Sequence, residues 1–382
     1  MNFTLSHEQQ LLQDSAARFV REHGRFEDWQ KACVDKRAYI KENWQKMAEL
    51  GWLAISVPED LGGLGGSAID TMVLMEQFGK GLAREPYVST CIIGSTLLQH
   101  ACSEIKEQRL NAIMMGECRI ALGLGEPLGH FNLEYVEMTA KAQSGGYQLS
   151  GEKSHVPDGS TADWYILPAR TSGAVDDPDG ITLFLVSANA LGLVRKNFRS
   201  PDQRHVSSLV LHNVAVSDTA VIGTIGGGLA LLEMAVDHAI AASLAEALGI
   251  MEAACSVTLD YLKTRQQFGV TIGSFQVLQH RMVDMVIACE EARSMTYYAT
   301  ENLSSPSHVR TRAISAAKTR VGQNALFVGQ QAIQLHGGIG TSDEHIVSHY
   351  LKRLVMFELS FGNIDFHRHR YASLGTACSD QK

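Results

Sequence analysis

The sequence predicts an α+β protein in three consecutive parts: an N-terminal helical domain, a middle antiparallel β domain and a C-terminal bundle of long helices. Two changes of texture and one unbroken helical stretch predict it. Near Cys118 the helical spacing of apolar residues gives way to short β-prone runs separated by turns. After Gly226-Gly227-Gly228 the helical spacing returns. The stretch 229–264 then holds no proline and one internal glycine, enough for a single helix of about 36 residues and about 54 Å. The expected domains are 1–117, 118–224 and 225–382, and a chain of 382 residues exceeds what one core usually spans.

In the first part, Ser6 is a candidate N-cap with Gln9 as its capping-box partner. Leu11, Leu12, Ala16, Phe19 and Val20 follow at helical spacing. Further helices are expected over 41–50, 68–82 and 93–101, with the glycine-rich run 61–66 breaking the pattern. The second part has β-prone runs at 146–151, 164–167, 181–186 and 207–211, and a strong turn at Asp176-Asp177-Pro178-Asp179-Gly180. In the third part, later helices are expected over 275–303, 309–335 and 343–361.

Composition removes several functions. The 33 Lys+Arg against 41 Asp+Glu give a net charge of −8, unsuited to nucleic acid as main partner. No apolar run approaches the ~18 residues of a spanning helix, so no membrane is expected. The start, Met1-Asn2-Phe3-Thr4-Leu5-Ser6-His7-Glu8, lacks the basic and apolar regions of a signal peptide. Cysteines at 33, 91, 102, 118, 255, 289 and 378 are odd in number and form no C-x-x-C pair. Reduced thiols in a cytoplasmic protein are expected, with no metal site and no disulfide framework.

Four segments carry chemistry. In the first, Tyr261-Leu262-Lys263-Thr264-Arg265-Gln266-Gln267-Phe268-Gly269, Arg265 closes the long helix, where a fixed cation can neutralise a pyrophosphate. Phe268-Gly269 makes a turn, and Gln276 offers an amide. The second, Gln331 through Gly340, ends in three glycines within four positions, which lets backbone lie against a ligand. Leu122-Gly123-Leu124-Gly125-Glu126-Pro127-Leu128-Gly129-His130 and Gly151-Glu152-Lys153-Ser154-His155-Val156-Pro157 are the other two. Taken separately, these read as a helix-terminal cation, a helix stop and two β-domain turns.

Together they resemble the acyl-CoA dehydrogenase family of flavoproteins, over almost the whole chain. The resemblance implies bound FAD, with Arg265, Phe268 and Gln276 at its diphosphate and Gln334, Leu335, Gly337 and Gly338 on its adenine side. It places Leu124, Gly125, Val156 and Pro157 beside the flavin ring, with Gly362 and Asn363 also at the cofactor. Some of these would reach into a neighbouring subunit's cofactor. The chain departs from the family where Gly125 replaces a threonine, His130 a serine and His155-Val156-Pro157 the usual Trp-Ile-Thr. Val156 still offers its amide, whereas Pro157 has neither an amide hydrogen nor a hydroxyl.

The family's reaction removes an α-proton from a CoA thioester while the β-hydrogen leaves as hydride to the flavin, so it needs a carboxylate base. The two familiar positions for that glutamate are Phe361 and Ala239 here. Glu246 is the candidate catalytic base: it lies about 700° beyond Ala239, 20° short of two turns, among Ala242, Ser243, Gly249, Ile250 and Ala253. That small-residue face suits either a roomy pocket or a close helix contact, and Glu246 either a base or the partner of a cation on a neighbouring helix. Asp365 and His367-Arg368-His369-Arg370 read as a solvated charge run, with the two histidines about 200° apart, poor geometry for a shared metal. Glu126 reads as a loop contact.

The departures resemble a bacterial subgroup that includes the pimeloyl-CoA dehydrogenase small subunit and steroid side-chain acyl-CoA dehydrogenases. The resemblance therefore implies an FAD-dependent dehydrogenase making a trans-2-enoyl-CoA from an acyl-CoA, with an electron-transfer flavoprotein as acceptor. A homo-oligomer, or a heterotetramer with a homologous subunit, is implied. Two alternatives stay open: an FAD-binding subunit without chemistry of its own, and a flavin monooxygenase on the same fold.

Overall fold

The computed structural model describes residues 4–376, so Cys378 and the first three residues of the N-terminal reading lie outside the described residues. The helical part comprises α1 (His7–His23), α2 (Phe26–Val34), α3 (Lys41–Glu49), α4 (Ala68–Lys80), α5 (Ser95–Leu98) and α6 (Ser103–Met114). Both halves of the capping box form at α1: Gln9 N donates to Ser6 Oγ at 3.2 Å, and Ser6 N donates to Gln9 Oε1 at 3.0 Å. The helix expected at 93–101 differs. Val88–Gly94 is a π-helical turn that runs into the single turn of α5. Thr90 Oγ1 both accepts from Ile120 N and donates to Ile120 O, drawing this segment against the first strand.

That strand, β1 (Ile120–Leu122), opens the β domain, followed by β2 (Thr139–Gln143), β3 (Gly146–Pro157), β4 (Trp164–Arg170), β5 (Ile181–Ser187), β6 (Leu193–Arg199), β7 (His205–Ser217) and β8 (Val221–Ile222). Their order is β6-β7-β3-β2-β4-β5-β8, with β1 added on β4. Pairing is antiparallel except for β1 and β2, which meet β4 in parallel. The apolar runs of β4 and β5 are buried on both faces, which explains their lack of alternation. Edge strand β6 is exposed and carries Arg195, Lys196 and Arg199, charges that discourage edge pairing.

The third part contains α7 (Gly228–Thr264), the hairpin β9 (Gln266–Gln267) and β10 (Val270–Thr271), α8 (Gln276–Glu301), α9 (Ser307–His336), α10 (Ile346–Leu359) and α11 (Ile364–Thr376). The single long helix is present, with 37 residues. Contrary to the expectation from sequence, it is long and apolar enough by length and composition to cross a membrane, but 78% of its most apolar window is buried within the protein. Helix α11 was not expected. The residues read as a solvated charge run form its middle, and His367 is fully buried.

The boundaries at 117 and 224 mark changes of secondary structure. Compactness divides the chain differently, into two units of discontinuous segments. One takes the chain up to Lys31, Ala68–Ala83 and everything from Ile240; the other takes Ala32–Ser67 and Arg84–Ala239.

Within the first unit α4 crosses α7 at backbone contact. A Cβ on Gly79 would stand 2.1 Å from the Glu246 carbonyl oxygen, and one on Gly249 would stand 1.9 Å from that of Glu76. Beside the crossing, Lys80 Nζ lies 3.0 Å from both Glu76 and Glu252, and Arg293 bonds Glu252. The small residues on this face of α7 therefore serve close helix packing. Gly249→Ala is expected to lower stability by about 1–3 kcal/mol, since backbone must move to admit the methyl. An unchanged urea midpoint would show that the two helices part freely.

Candidate functional site

In the β-containing unit, the two candidate loops meet. Ser154 N donates to Gly125 O at 2.8 Å, and a Cβ on Gly125 would lie 3.0 Å from Ser154 O, so the missing threonine leaves room for this approach. Register shifts between Lys153 and Val156, and left-handed backbone at His155 (φ 48°), lift the segment out of the regular ladder with β7. Leu124 is half-buried and Pro157 exposed. Val156 buries its side chain in the sheet core, so it can offer a ligand only backbone.

Glu126 anchors both loops. Its carboxylate accepts from Lys153 Nζ at 2.5 Å, from Met138 N at 3.2 Å and from Glu137 N. Neither side chain of the pair reaches water. Burial pushes the Lys153 ammonium below its ordinary value, and Glu126 holds it up. Every Glu126 contact is internal, as a loop anchor requires.

In the helical unit, Arg265 follows α7, and Gln266 to Thr271 form the short hairpin. Phe268 and Gly269 at its tip both have positive φ, 54° and 81°, the geometry of a two-residue type I′ turn. Phe268 is 91% exposed, its ring meeting Phe275 edge-on at 6.2 Å. An exposed aromatic in left-handed backbone signals a contact beyond the chain itself. Among the described residues the Arg265 guanidinium has no ion pair, and Gln276 at the start of α8 is exposed.

The glycine-rich end of α9 lies near this hairpin. Tyr261 stacks on His336 at 4.5 Å between ring centres, and His336 meets His345 at 4.8 Å. A Cβ on Gly337, Gly338 or Gly269 would find nothing within 4 Å, so an open surface runs past these backbones. Gln334 is exposed, whereas Leu335 packs in the core and can contribute only main chain. His336 Nδ1 bonds Ala332 O at 2.8 Å, and its buried Nε2 has no partner. A free cation, an exposed aromatic, exposed amides and bare backbone suit the diphosphate and adenine of a dinucleotide such as FAD.

Glu246 sits elsewhere in the unit. Arg353 of α10 holds it with Nε to Oε1 at 3.1 Å and Nη2 to Oε2 at 2.6 Å, and the residue is 2% exposed. Of the two roles left open for it, a partner of a cation on a neighbouring helix is the one this contact displays. Both oxygens are engaged, and bidentate guanidinium binding stabilises the anion. Ala239 is fully buried.

Gly362 and Asn363 lie in the turn between α10 and α11. Phe361 is left-handed (φ 57°) and Gly362 follows at φ 110°. A Cβ on Gly362 would lie 2.4 Å from Phe366 Cδ1, so glycine is required. Asn363 Oδ1 caps α11 by accepting from Phe366 N at 2.9 Å. Sequence reasoning missed the groups beneath this turn, Ser315, Lys318 and His367. A lysine inside Ala313-Ile314-Ser315-Ala316-Ala317-Lys318 was the available signal, because a charge on an apolar helix face needs a partner.

The family descriptions "Acyl-CoA dehydrogenase, N-terminal domain" and "Acyl-CoA dehydrogenase, C-terminal domain" match residues 6–117 and 226–373, together more than half of the chain. Mitochondrial isovaleryl-CoA dehydrogenase of Solanum tuberosum is 28% identical over 349 residues, covering 88% of this chain and 83% of that protein. Butyryl-CoA dehydrogenase of Megasphaera elsdenii superposes with a TM-score of 0.89 at 25% identity, over 98% of this chain and 99% of that one. An FAD complex of PigA superposes with a TM-score of 0.88 at 26% identity, over 98% of each chain.

Proposed function

Because the chain belongs to the acyl-CoA dehydrogenase family, we propose that it holds FAD and oxidises an acyl-CoA thioester between its α and β carbons, giving a trans-2-enoyl-CoA. The observation that carries this reading is the open cluster of Arg265, Phe268, Gln276, Gln334, Gly337 and Gly338. When bound, FAD supplies the electron acceptor for that oxidation. Arg265 would offset the diphosphate charge, the bare backbone of Gly337-Gly338 would lie against the adenine side, and Gly125 with Val156 and Pro157 would border the ring. An electron-transfer flavoprotein is the proposed acceptor. A cytoplasmic setting suits the six described cysteines, all free thiols.

Lys318, beneath the Gly362-Asn363 turn, and Gln334 are about 24 Å apart along α9 at 1.5 Å per residue. That separation suits an oligomer in which the hairpin and glycine cluster of one copy serve the cofactor of its neighbour. For Glu246 we favour the role of charge partner over that of base. The family's two familiar base positions hold Phe361 and Ala239, and this favours a second reading, a subunit that completes FAD sites for a homologous catalytic partner.

Anaerobic mixing of the purified chain with straight, branched, dicarboxylic and steroid acyl-CoAs separates these readings. Bleaching of the yellow chain by one of them alone supports the dehydrogenase. Bleaching only after a homologous subunit is added supports the second reading, and a chain colourless in both forms rejects both. Arg265→Ala is expected to weaken FAD binding about ten- to a hundredfold, the worth of one charge-assisted contact. Flavin fluorescence titration checks this, and unchanged affinity would remove Arg265 from the site.

A further inference from the structure

We propose that Lys318 is a positioning residue, which fixes the Phe361-Gly362-Asn363 turn against the cofactor by tying down the last carbonyls of α10 from beneath. This role rests on the FAD reading above, whereas the anchoring itself can be tested without cofactor.

Lys318 lies in the middle of α9 and is 2% exposed. Its ammonium donates to Phe357 O and, at 3.4 Å, to Glu358 O, and it stands 3.7 Å from the centre of the Phe357 ring. These carbonyls are among the last four of α10, and Phe357 O also accepts from the cap amide, Ser360 N, at 3.2 Å. An internal cation from another helix therefore reinforces the backbone cap and adds the partner that Glu358 O takes from beyond the helix. Water could serve the remaining acceptor sites without burying a charge, which makes the choice of a lysine informative.

The turn is gripped from its other side as well. His367 of α11 is fully buried, with Nε2 at 3.1 Å from Phe361 O and Nδ1 at 3.4 Å from Ser315 Oγ, one turn of α9 before Lys318. Burial pushes His367 down to about 3, with Lys318 and Arg370 acting in the same direction, so the ring stays neutral. Glu358 Oε1 accepts from Ile364 N at 2.8 Å, bridging the turn from α10 to α11. A Cβ on Gly322, one turn beyond Lys318, would lie 3.0 Å from Ile364. Ser315, Lys318 and Gly322 thus present one face of α9 to the turn. Phe361 is held in left-handed backbone, a conformation costly for its side chain and stable only when its surroundings fix it.

The burial of Lys318 also affects its charge. Burial lowers the ammonium to about 7, with Glu358 opposing and Arg353 assisting. Lys318 thus holds its two carbonyls within a field set by both neighbouring helices.

Amide hydrogen exchange of the full chain, read residue by residue, tests the anchoring. In the wild-type protein Ser360, Ile364 and His367 should be protected to the level of the middle of α10. Exchange there at the rate of an open loop would overturn the proposal before any variant is made. In Lys318→Met exchange should accelerate about ten- to a hundredfold, the worth of one charge-assisted hydrogen bond, at 360–364 alone. Lys318→Arg, which keeps donors for both carbonyls, should recover most of that protection. Acceleration spread evenly through α9, α10 and α11 would reduce Lys318 to general packing and defeat the proposal.

With FAD bound, Lys318→Met should retain the cofactor while its visible band and fluorescence change, because the diphosphate contacts lie elsewhere. An unaltered flavin spectrum together with relaxed exchange would keep the anchor but separate it from the cofactor, defeating its positioning role. A wild-type chain that binds no FAD, yet shows the protected turn, would instead defeat the functional reading.

Discussion

Glu126→Leu is expected to destabilise the protein by about 3–5 kcal/mol, the cost of removing one partner from a buried ion pair. The leucine would leave the Lys153 ammonium, which has no exposure to water, without its carboxylate, and would strip Met138 N and Glu137 N of their acceptor. Lys153→Met should cost less, because the carboxylate keeps both backbone donors. The double variant should fall below the sum of the two, since it removes both charges together. Urea denaturation of the three proteins measures this, and a loss under 1 kcal/mol in Glu126→Leu would show that water reaches the pair. A pH signature accompanies it. Lys153 has a folded-state value below the 10.5 of the ordinary side chain, so the unfolded chain binds more protons between those values and stability rises with pH across the interval. Lys153→Met should lose that rise. Because Glu126 also secures the loop that presents Gly125 to Ser154, Glu126→Leu should release FAD under conditions where the wild-type protein retains it.

Local chemistry made much of this legible in advance. The capping box at Ser6 and Gln9, the long helix α7 and the Phe268-Gly269 turn each depend on residues within a few positions of one another. The sequence of helices, sheet and long helices follows from apolar periodicity in the same way. What escaped depends on partners distant along the chain. His367 lies in a run of four charged or titratable residues that reads as solvated, but the small Ser315 and the turn carbonyl of Phe361 make a buried place for it. The π-helical turn at Val88–Gly94 is drawn out by a bond to β1, which no local pattern encodes. The small residues around Glu246 were visible, but pattern alone could not say whether they faced a ligand or α4. The carbonyl contacts at Gly79 and Gly249 answer that. On the candidate site, residue types identified the exposed hairpin and glycine cluster. Leu335 and Val156 turn their side chains into cores, which depends on partners distant along the chain.

Arg353→Met should be comparably severe, about 3–5 kcal/mol, because the Glu246 carboxylate would stay buried after losing its bidentate guanidinium. Glu246→Gln keeps the shape and one acceptor while removing the charge, so it should cost less and retain the fold. That milder variant separates the two roles of Glu246. A charge partner acts through stability: Glu246→Gln would lower the urea midpoint, while flavin reduction by the best acyl-CoA, followed in a rapid-mixing spectrometer well below that midpoint, would stay within about threefold of wild type. A base acts through rate: reduction would slow by about 10²–10⁴-fold with the midpoint nearly unmoved. The first result is expected, because a carboxylate whose two oxygens already receive Arg353 donors is poorly placed to accept an α-proton. Recovery of stability in Glu246→Leu/Arg353→Met, relative to either Glu246→Leu or Arg353→Met, would complete the case. The pair would then be an electrostatic join between α7 and α10, replaceable by apolar contact, and the proton acceptor would have to be sought on a companion subunit.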